Sequence, residues 1–319
     1  MSKGPLPTKD TTGRGSSGAE PMAYGDRLRA SHERLAATEK QLYQATLLRA
    51  HLERELDEIR EHHRLATDRL RRDLALAREI QTSLLPEPAP CWDGLELRCF
   101  SNPALEIGGD FYTYRASANR KVLLSKYVLA VGDVSGKGVS AALLMATTLS
   151  KFDASLSLKL GPAELLAHLD RAILPYTKSR RQSCALCYVE IVGANTVRPL
   201  MRLANAGCIP PYLKHADGSV EWIEAGGPPL GQGLGARSGY REVVRPLTKG
   251  DMIVLTSDGV VEARDRADEL FGFERLEAAI AAGPAASTAA MLEHLKAAVA
   301  AFVGDQDPHD DVTIVVLGT

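Results

Sequence analysis

The sequence predicts an α+β protein: two packed, mainly antiparallel sheets flanked by helices, preceded by a long coiled-coil helix. Three observations predict it. Residues 26–85 contain neither Gly nor Pro and carry a heptad pattern. Beyond them, short apolar runs are separated by gaps of hairpin length. The remaining helical stretches come in blocks rather than between every pair of strands, which favours antiparallel pairing over a βαβ sheet.

Taken in order, residues 1–24 are rich in Gly, Ser, Thr, Pro and charge, with TTGRGSSG at their centre, and predict a disordered tail. Residues 25–85 predict one helix. With Leu28 as position a, the a positions are Leu28, Leu35, Leu42, Arg49, Leu56, His63, Leu70, Ala77 and Leu84. The d positions are Ser31, Thr38, Ala45, Leu52, Ile59, Ala66, Asp73 and Ile80. Apolar residues fill most of both sets, which is coiled-coil patterning, and a parallel homodimer is the expected partner arrangement. The alternative is an amphipathic helix folded back on its own domain. Arg49, His63 and Asp73 interrupt the seam and set its register.

Pro86, Pro88 and Pro90 end the helix. Strands are predicted at 95–101, 109–116, 127–134, 184–192, 197–207, 211–216, 218–225, 241–247, 252–258 and 312–318. Helices are predicted from Ser140 to Phe152, continuing over Pro162 to Leu174, and from Phe273 to Phe302 with a break at Gly283–Pro284. The domain boundaries are therefore a tail at 1–24, a coiled-coil linker at 25–85 and a globular domain at 86–319.

A net charge of −2 gives no electrostatic signature for nucleic acid or an anionic membrane. Five irregularly spaced cysteines are not a disulfide framework. The Cys184–Cys187 pair lies inside an apolar run without a second pair and reads as buried strand residues rather than a zinc knuckle. No stretch approaches the ~20 apolar residues of a spanning helix, and no signal-peptide pattern is present, so a soluble cytoplasmic protein is expected.

The chemistry sits at strand tips. Asp110 follows IGG, Asp133 ends VLAVGD, Asp258 ends MIVLTSD, and Asp310–Asp311 precede VTIVVL. If 252–258 and 312–318 pair antiparallel, the end of one lies beside the start of the other. One rim then collects all the acids. Carboxylates that converge repel one another, and hard divalent cations such as Mn²⁺ or Mg²⁺ relieve that repulsion. Two such ions would suit hydrolysis of a phosphate ester.

The ordered series AREIQTSLLP, GGDFY, VGDVSGKGVSAALLMA, NAGCIPPYL, GGPPLG, LTSDGVVEAR, FGFERL and DDVTIVV resembles the SpoIIE-like branch of the PPM metal-dependent protein serine/threonine phosphatases, bacterial regulators of sporulation and stress response. The likeness runs from about residue 77 to the C-terminus. It implies a PPM-type αββα sandwich with a dinuclear Mn²⁺ or Mg²⁺ centre. It implies attack by a metal-activated hydroxide on a phosphoserine or phosphothreonine, typically of an anti-sigma-factor antagonist. By motif, Asp133, the carbonyl of Val134, Asp258 and Asp310 resemble metal ligands. Asp110 resembles the acid that supports the centre, and Asp311 is expected to orient its neighbour or cap the loop.

Two positions depart from the family pattern. Thr113 stands where an acid usually follows GGDFY, and Cys208 stands where NAGH has its His. The turn Ser135–Gly138 precedes a helix, so Gly136, Lys137 and Gly138 are candidates for holding the substrate phosphate or the loop around Asp133. The stalk is a candidate site for an upstream regulator, or acts by dimerisation. The competing reading is a pseudophosphatase that binds a partner without turnover. A nucleotide cyclase is disfavoured because Phe111 and Tyr112 follow GGD.

Overall fold

The computed structural model describes residues 21–118 and 125–319. The chain divides into two units, Met1–Leu70 and Arg71–Thr319. Helix α1 covers Pro21–Leu84. It already includes residues 21–24, which the sequence assigned to the tail. Of the predicted tail, residues 1–20 lie outside the described residues. In the first unit the seam is uncovered: Leu28, Leu35, Leu42, Leu52, Leu56 and Ile59 are all exposed, from 46% to 68%. Such a row of apolar side chains is stable only against a second surface.

Among the described residues the second unit holds eleven strands in two sheets. In chain order they are β1 (Cys91–Trp92), β2 (Leu95–Asn102), β3 (Phe111–Ala118), β4 (Ser125–Val134), β5 (Cys184–Val192), β6 (Leu200–Ala206), β7 (Tyr212–Lys214), β8 (Val220–Trp222), β9 (Glu242–Pro246), β10 (Met252–Thr256) and β11 (Val312–Gly318). One sheet has the order β1-β2-β11-β10-β7-β8 and the other β3-β4-β5-β6-β9. Every described pairing between strands is antiparallel. The helices are α2 (Val139–Ser155), α3 (Pro162–Thr177), α4 (Gly235–Ser238), α5 (Asp258–Val261), α6 (Gly272–Ala282) and α7 (Thr288–Val303).

Alternation along the strands builds three cores. In β4, Leu129 and Val131 face the other sheet, while Val128 and Ala130 pack under α2 and α3. In β10, Ile253 and Leu255 point into the space between sheets, and Met252 and Val254 pack against α6 and α7. Strands buried on both faces explain why these runs read as almost continuously apolar. The result is an αββα sandwich, as the motifs implied.

One polar device closes the α6 end. Lys214 on β7 is buried, and its Nζ donates to the carbonyls of Ile280 (2.8 Å), Ala281 (2.8 Å) and Gly283 (2.6 Å). Ile280 and Ala281 belong to the last turn of α6, whose carbonyls lack i+4 partners within the helix, and Gly283 is its C-cap. Burial holds the ammonium below its ordinary range.

Candidate metal centre

The strand register brings the acids together at one end of the sandwich. In the second sheet Phe111 pairs with Gly132, so Asp110 and Asp133 flank adjacent positions of β3 and β4. In the first sheet Thr256 pairs with Ile314, which sets Asp258, two residues on, beside the start of β11. The hydroxyl of Ser257 clasps this junction. Its Oγ accepts from Thr313 N (2.9 Å) and donates to Asp311 O (3.3 Å), while Ser257 N donates to Thr313 O (3.0 Å). Each sheet thus contributes two acids.

The electrostatics record their proximity. Asp110 is buried, and burial first, then the charge of Asp133, raises its carboxyl well above the usual range. Asp133 is pushed up to about 7 by burial and by the charges of Asp258, Asp310 and Asp311. Asp258 is raised by burial, then by Glu262 and Asp310. Neither oxygen of Asp110 has a hydrogen-bond partner among the described residues. The hydroxyls of Ser257 and Thr313 favour its charged form, yet they donate elsewhere, to Asp311 O and to Ser101 Oγ (2.9 Å). Buried polar atoms ordinarily find partners, so an orphaned carboxylate among other carboxylates calls for a cation.

Backbone geometry agrees. Gly109 runs so close to the Val134 carbonyl that a Cβ would sit 2.6 Å from its oxygen. A side chain there would obstruct the carbonyl that resembles a main-chain ligand. All-oxygen donors of this kind fit Mn²⁺ or Mg²⁺. Among the described residues no three His, Cys, Asp or Glu side chains are closed into a finished metal shell. The acids share one end of the fold and a mutual repulsion rather than a completed set of coordination distances.

Asp311 differs from Asp110 in that both of its carboxylate oxygens have hydrogen-bond partners. Its Oδ1 accepts from Ala104 N (2.8 Å), and its Oδ2 accepts from Gly109 N (2.6 Å) and Asp110 N (3.4 Å). It caps the loop that carries Asp110. Gly136 and Gly138 have φ values of 95° and 74°, the left-handed region glycine tolerates, and α2 starts directly after them. Lys137 turns toward the loop before β11, where it donates to His309 O and lies 3.2 Å from Asp310 Oδ2.

Thr113 is buried on β3, pairing in register with Ala130. Cys208 packs against the inter-sheet core with its Sγ 3.6 Å from Val131 O, and burial raises its thiol far above the ordinary range. Thiol chemistry at neutral pH is therefore disfavoured there. Cys184 and Cys187 are buried free thiols of β5, as the apolar run predicted.

Sequence reasoning missed Gln81. From the last turns of α1 its Oε1 accepts from Gly108 N (3.1 Å) and its Nε2 donates to Gly108 O (2.7 Å). This two-point grip fixes the GGD loop. The only sequence signal for it was its place inside AREIQTSLLP.

The pattern of the Stage II sporulation protein E (SpoIIE) family matches residues 125–319. The phosphoserine phosphatase RsbU of Bacillus subtilis is 28% identical over 254 residues, spanning 78% of this chain and 70% of RsbU. The phosphoserine phosphatase RsbP of the same organism is 26% identical over 195 residues, spanning 60% of this chain and 46% of RsbP. Among solved structures, the SiaA-PP2C domain of Pseudomonas aeruginosa superposes with a TM-score of 0.65 at 22% identity, covering 80% of this chain and 98% of that one. The RsbU and RsbW domains of Rv1364c from Mycobacterium tuberculosis give 0.55 at 26% identity, covering 72% and 60%.

Proposed function

This chain belongs to the SpoIIE family and is a protein phosphatase, and from that premise we propose that it is a metal-dependent serine/threonine phosphatase acting on a phosphorylated regulatory protein. The observation that carries the metal dependence is the buried, unpartnered Asp110 beside Asp133, with Asp258 and Asp310 brought in from the other sheet. Asp133, Asp258, Asp310 and the Val134 carbonyl would hold Mn²⁺ or Mg²⁺, two ions by the family's pattern, with Asp110 supporting them. When bound, the ions supply water activation and neutralise charge on the phosphoryl oxygens.

The chain's own residues do the rest. Asp311 and Gln81 hold the GGD loop, so Asp110 is presented at one position. Ser257 keeps the tips of β10 and β11 in register, which sets Asp258 against Asp310. Lys137 joins the glycine turn to the Asp310 loop and leaves a cationic group at the rim of the acidic site. Such a group suits an incoming phosphate dianion.

The substrate we favour is an anti-sigma-factor antagonist-type phosphoprotein, on the strength of the likeness to RsbU and RsbP. Residues 86–319 form the catalytic domain in this reading, and residues 25–85 a stalk that pairs as a homodimer or receives an upstream regulator. The uncovered leucine seam supports that pairing. No described helix is long and apolar enough to cross a membrane.

A second reading, partner binding without turnover, is favoured by the ion pair between Lys137 and Asp310, which engages a candidate ligand. Release of p-nitrophenol from its phosphate separates the two. Mn²⁺-dependent release that falls by at least about 100-fold in Asp258→Asn supports the enzyme. No metal-dependent release, from this compound or from a phosphoserine protein, supports the binding role.

A further inference from the structure

A cavity of about 500 Å³ opens between the C-terminal turn of α3, the turn that follows it, and the loop from Gly231 to Arg237. Three cations line it, Lys178, Arg181 and Arg237, and no acid does. All three are exposed, and among the described residues none has an ion-pair partner. Concave walls of one sign concentrate the opposite charge.

The walls are built in advance. Asp170 of α3 is fully buried. Its Oδ1 accepts from Gly231 N (2.7 Å), Gln232 N (3.1 Å) and Gly233 N (3.0 Å), and its Oδ2 accepts from Ala236 N (2.7 Å). Thr177 Oγ1 donates to Gly231 O (2.6 Å). With its charge engaged by four N–H groups, Asp170 braces the loop and leaves the cations unneutralised. Arg181 has a φ of 53°, a conformation non-glycine residues seldom adopt, which fixes the backbone that presents its guanidinium.

The cavity also adjoins the acidic end of the sandwich. Gln182, one of its lining residues, donates to Ser135 O (3.2 Å), two residues past Asp133. Ser135 and Ser183 bond each other twice, Ser135 N to Ser183 O (2.9 Å) and Ser183 N to Ser135 Oγ (2.8 Å). One wall is therefore continuous with the turn that carries Lys137.

We infer that this cavity is an anion subsite that takes a carboxylate side chain of the protein substrate, from a segment flanking the phosphorylated residue. The inference rests on the phosphatase reading and deepens it: the substrate is a phosphoprotein with an acidic neighbourhood, held at two places.

The test uses the full chain, p-nitrophenyl phosphate, and two phosphoserine peptides that differ only in acidic or amide residues around the phosphoserine. The wild type should show a KM about fivefold lower for the acidic peptide, with the gap closing as salt rises. Arg181→Glu with Arg237→Glu should abolish the gap and leave p-nitrophenyl phosphate turnover unchanged. Should that variant lose turnover altogether, Arg181→Gln with Arg237→Gln decides on the same peptides. No gap in the wild type, or a gap that survives these substitutions, overturns the subsite. A gap abolished by inorganic phosphate but not by glutamate at equal concentration overturns the carboxylate assignment. If the wild type hydrolyses none of the three compounds, the phosphatase reading fails. Anisotropy of the labelled acidic peptide then judges the subsite alone: binding lost in the reversed variant upholds it, and no binding overturns it.

Discussion

Lys137 Nζ lies 3.2 Å from Asp310 Oδ2, tying the turn after β4 to the loop before β11 across the two sheets. The pair is partly exposed, so its worth to stability is small. Its consequence for cations is larger. A fixed positive charge beside a candidate ligand opposes any divalent ion placed there. Lys137→Met should therefore bind Mn²⁺ more tightly, by roughly threefold to tenfold, since one unit charge at such a range in a watery site is worth about 1 kcal/mol. Isothermal titration measures this directly. Weaker binding would mean that Lys137 acts chiefly as a loop fastener.

Asp133 sets a pH dependence with a definite sign. Its carboxyl has an ordinary value of 3.8 and about 7 in the fold. Between those values the folded chain holds a proton that the unfolded chain releases, so its contribution to stability declines as pH rises from about 4 to 7. With chelator present, Asp133→Asn should raise Tm more at pH 7.5 than at pH 5. Mn²⁺ displaces the same proton, so the Tm increase it causes should be larger at pH 7.5 than at pH 5. Equal increases at both pH values would contradict the assignment of Asp133 as a ligand.

Gln81 couples the end of α1 to the GGD loop through both of its amide atoms. Gln81→Ala removes a donor and an acceptor from Gly108 and should cost about 1–3 kcal/mol, read by urea denaturation. The same variant should weaken Mn²⁺ binding, because Asp110 sits two residues from Gly108. Unaltered metal affinity with reduced stability would make Gln81 a structural contact only.

The exposed leucine seam predicts an oligomeric change. Leu42→Glu with Leu56→Glu should give a monomer by light scattering if the helix pairs with a second copy, because charge at a positions is incompatible with a packed seam. Deleting residues 1–75 should change specific activity and oligomeric state together. Unchanged turnover in a monomeric truncation would remove regulation through the stalk.

The fold was largely legible because the long central strands are buried on both faces, as in β4 and β10. The two-residue strand β1 carried no pattern that could reveal it. At the site, the acids were legible as carboxylates at strand ends. The partners were not. Gln81 meets Gly108 across 27 positions and Lys137 meets His309 across 172, and no local period encodes contacts that only tertiary packing creates.

The acids are shared evenly, Asp110 and Asp133 on one sheet, Asp258 and Asp310 on the other. If these four acids hold the ions, as we propose, either sheet alone carries half of the ligands, and a bound ion would fasten the two layers so that they come apart together.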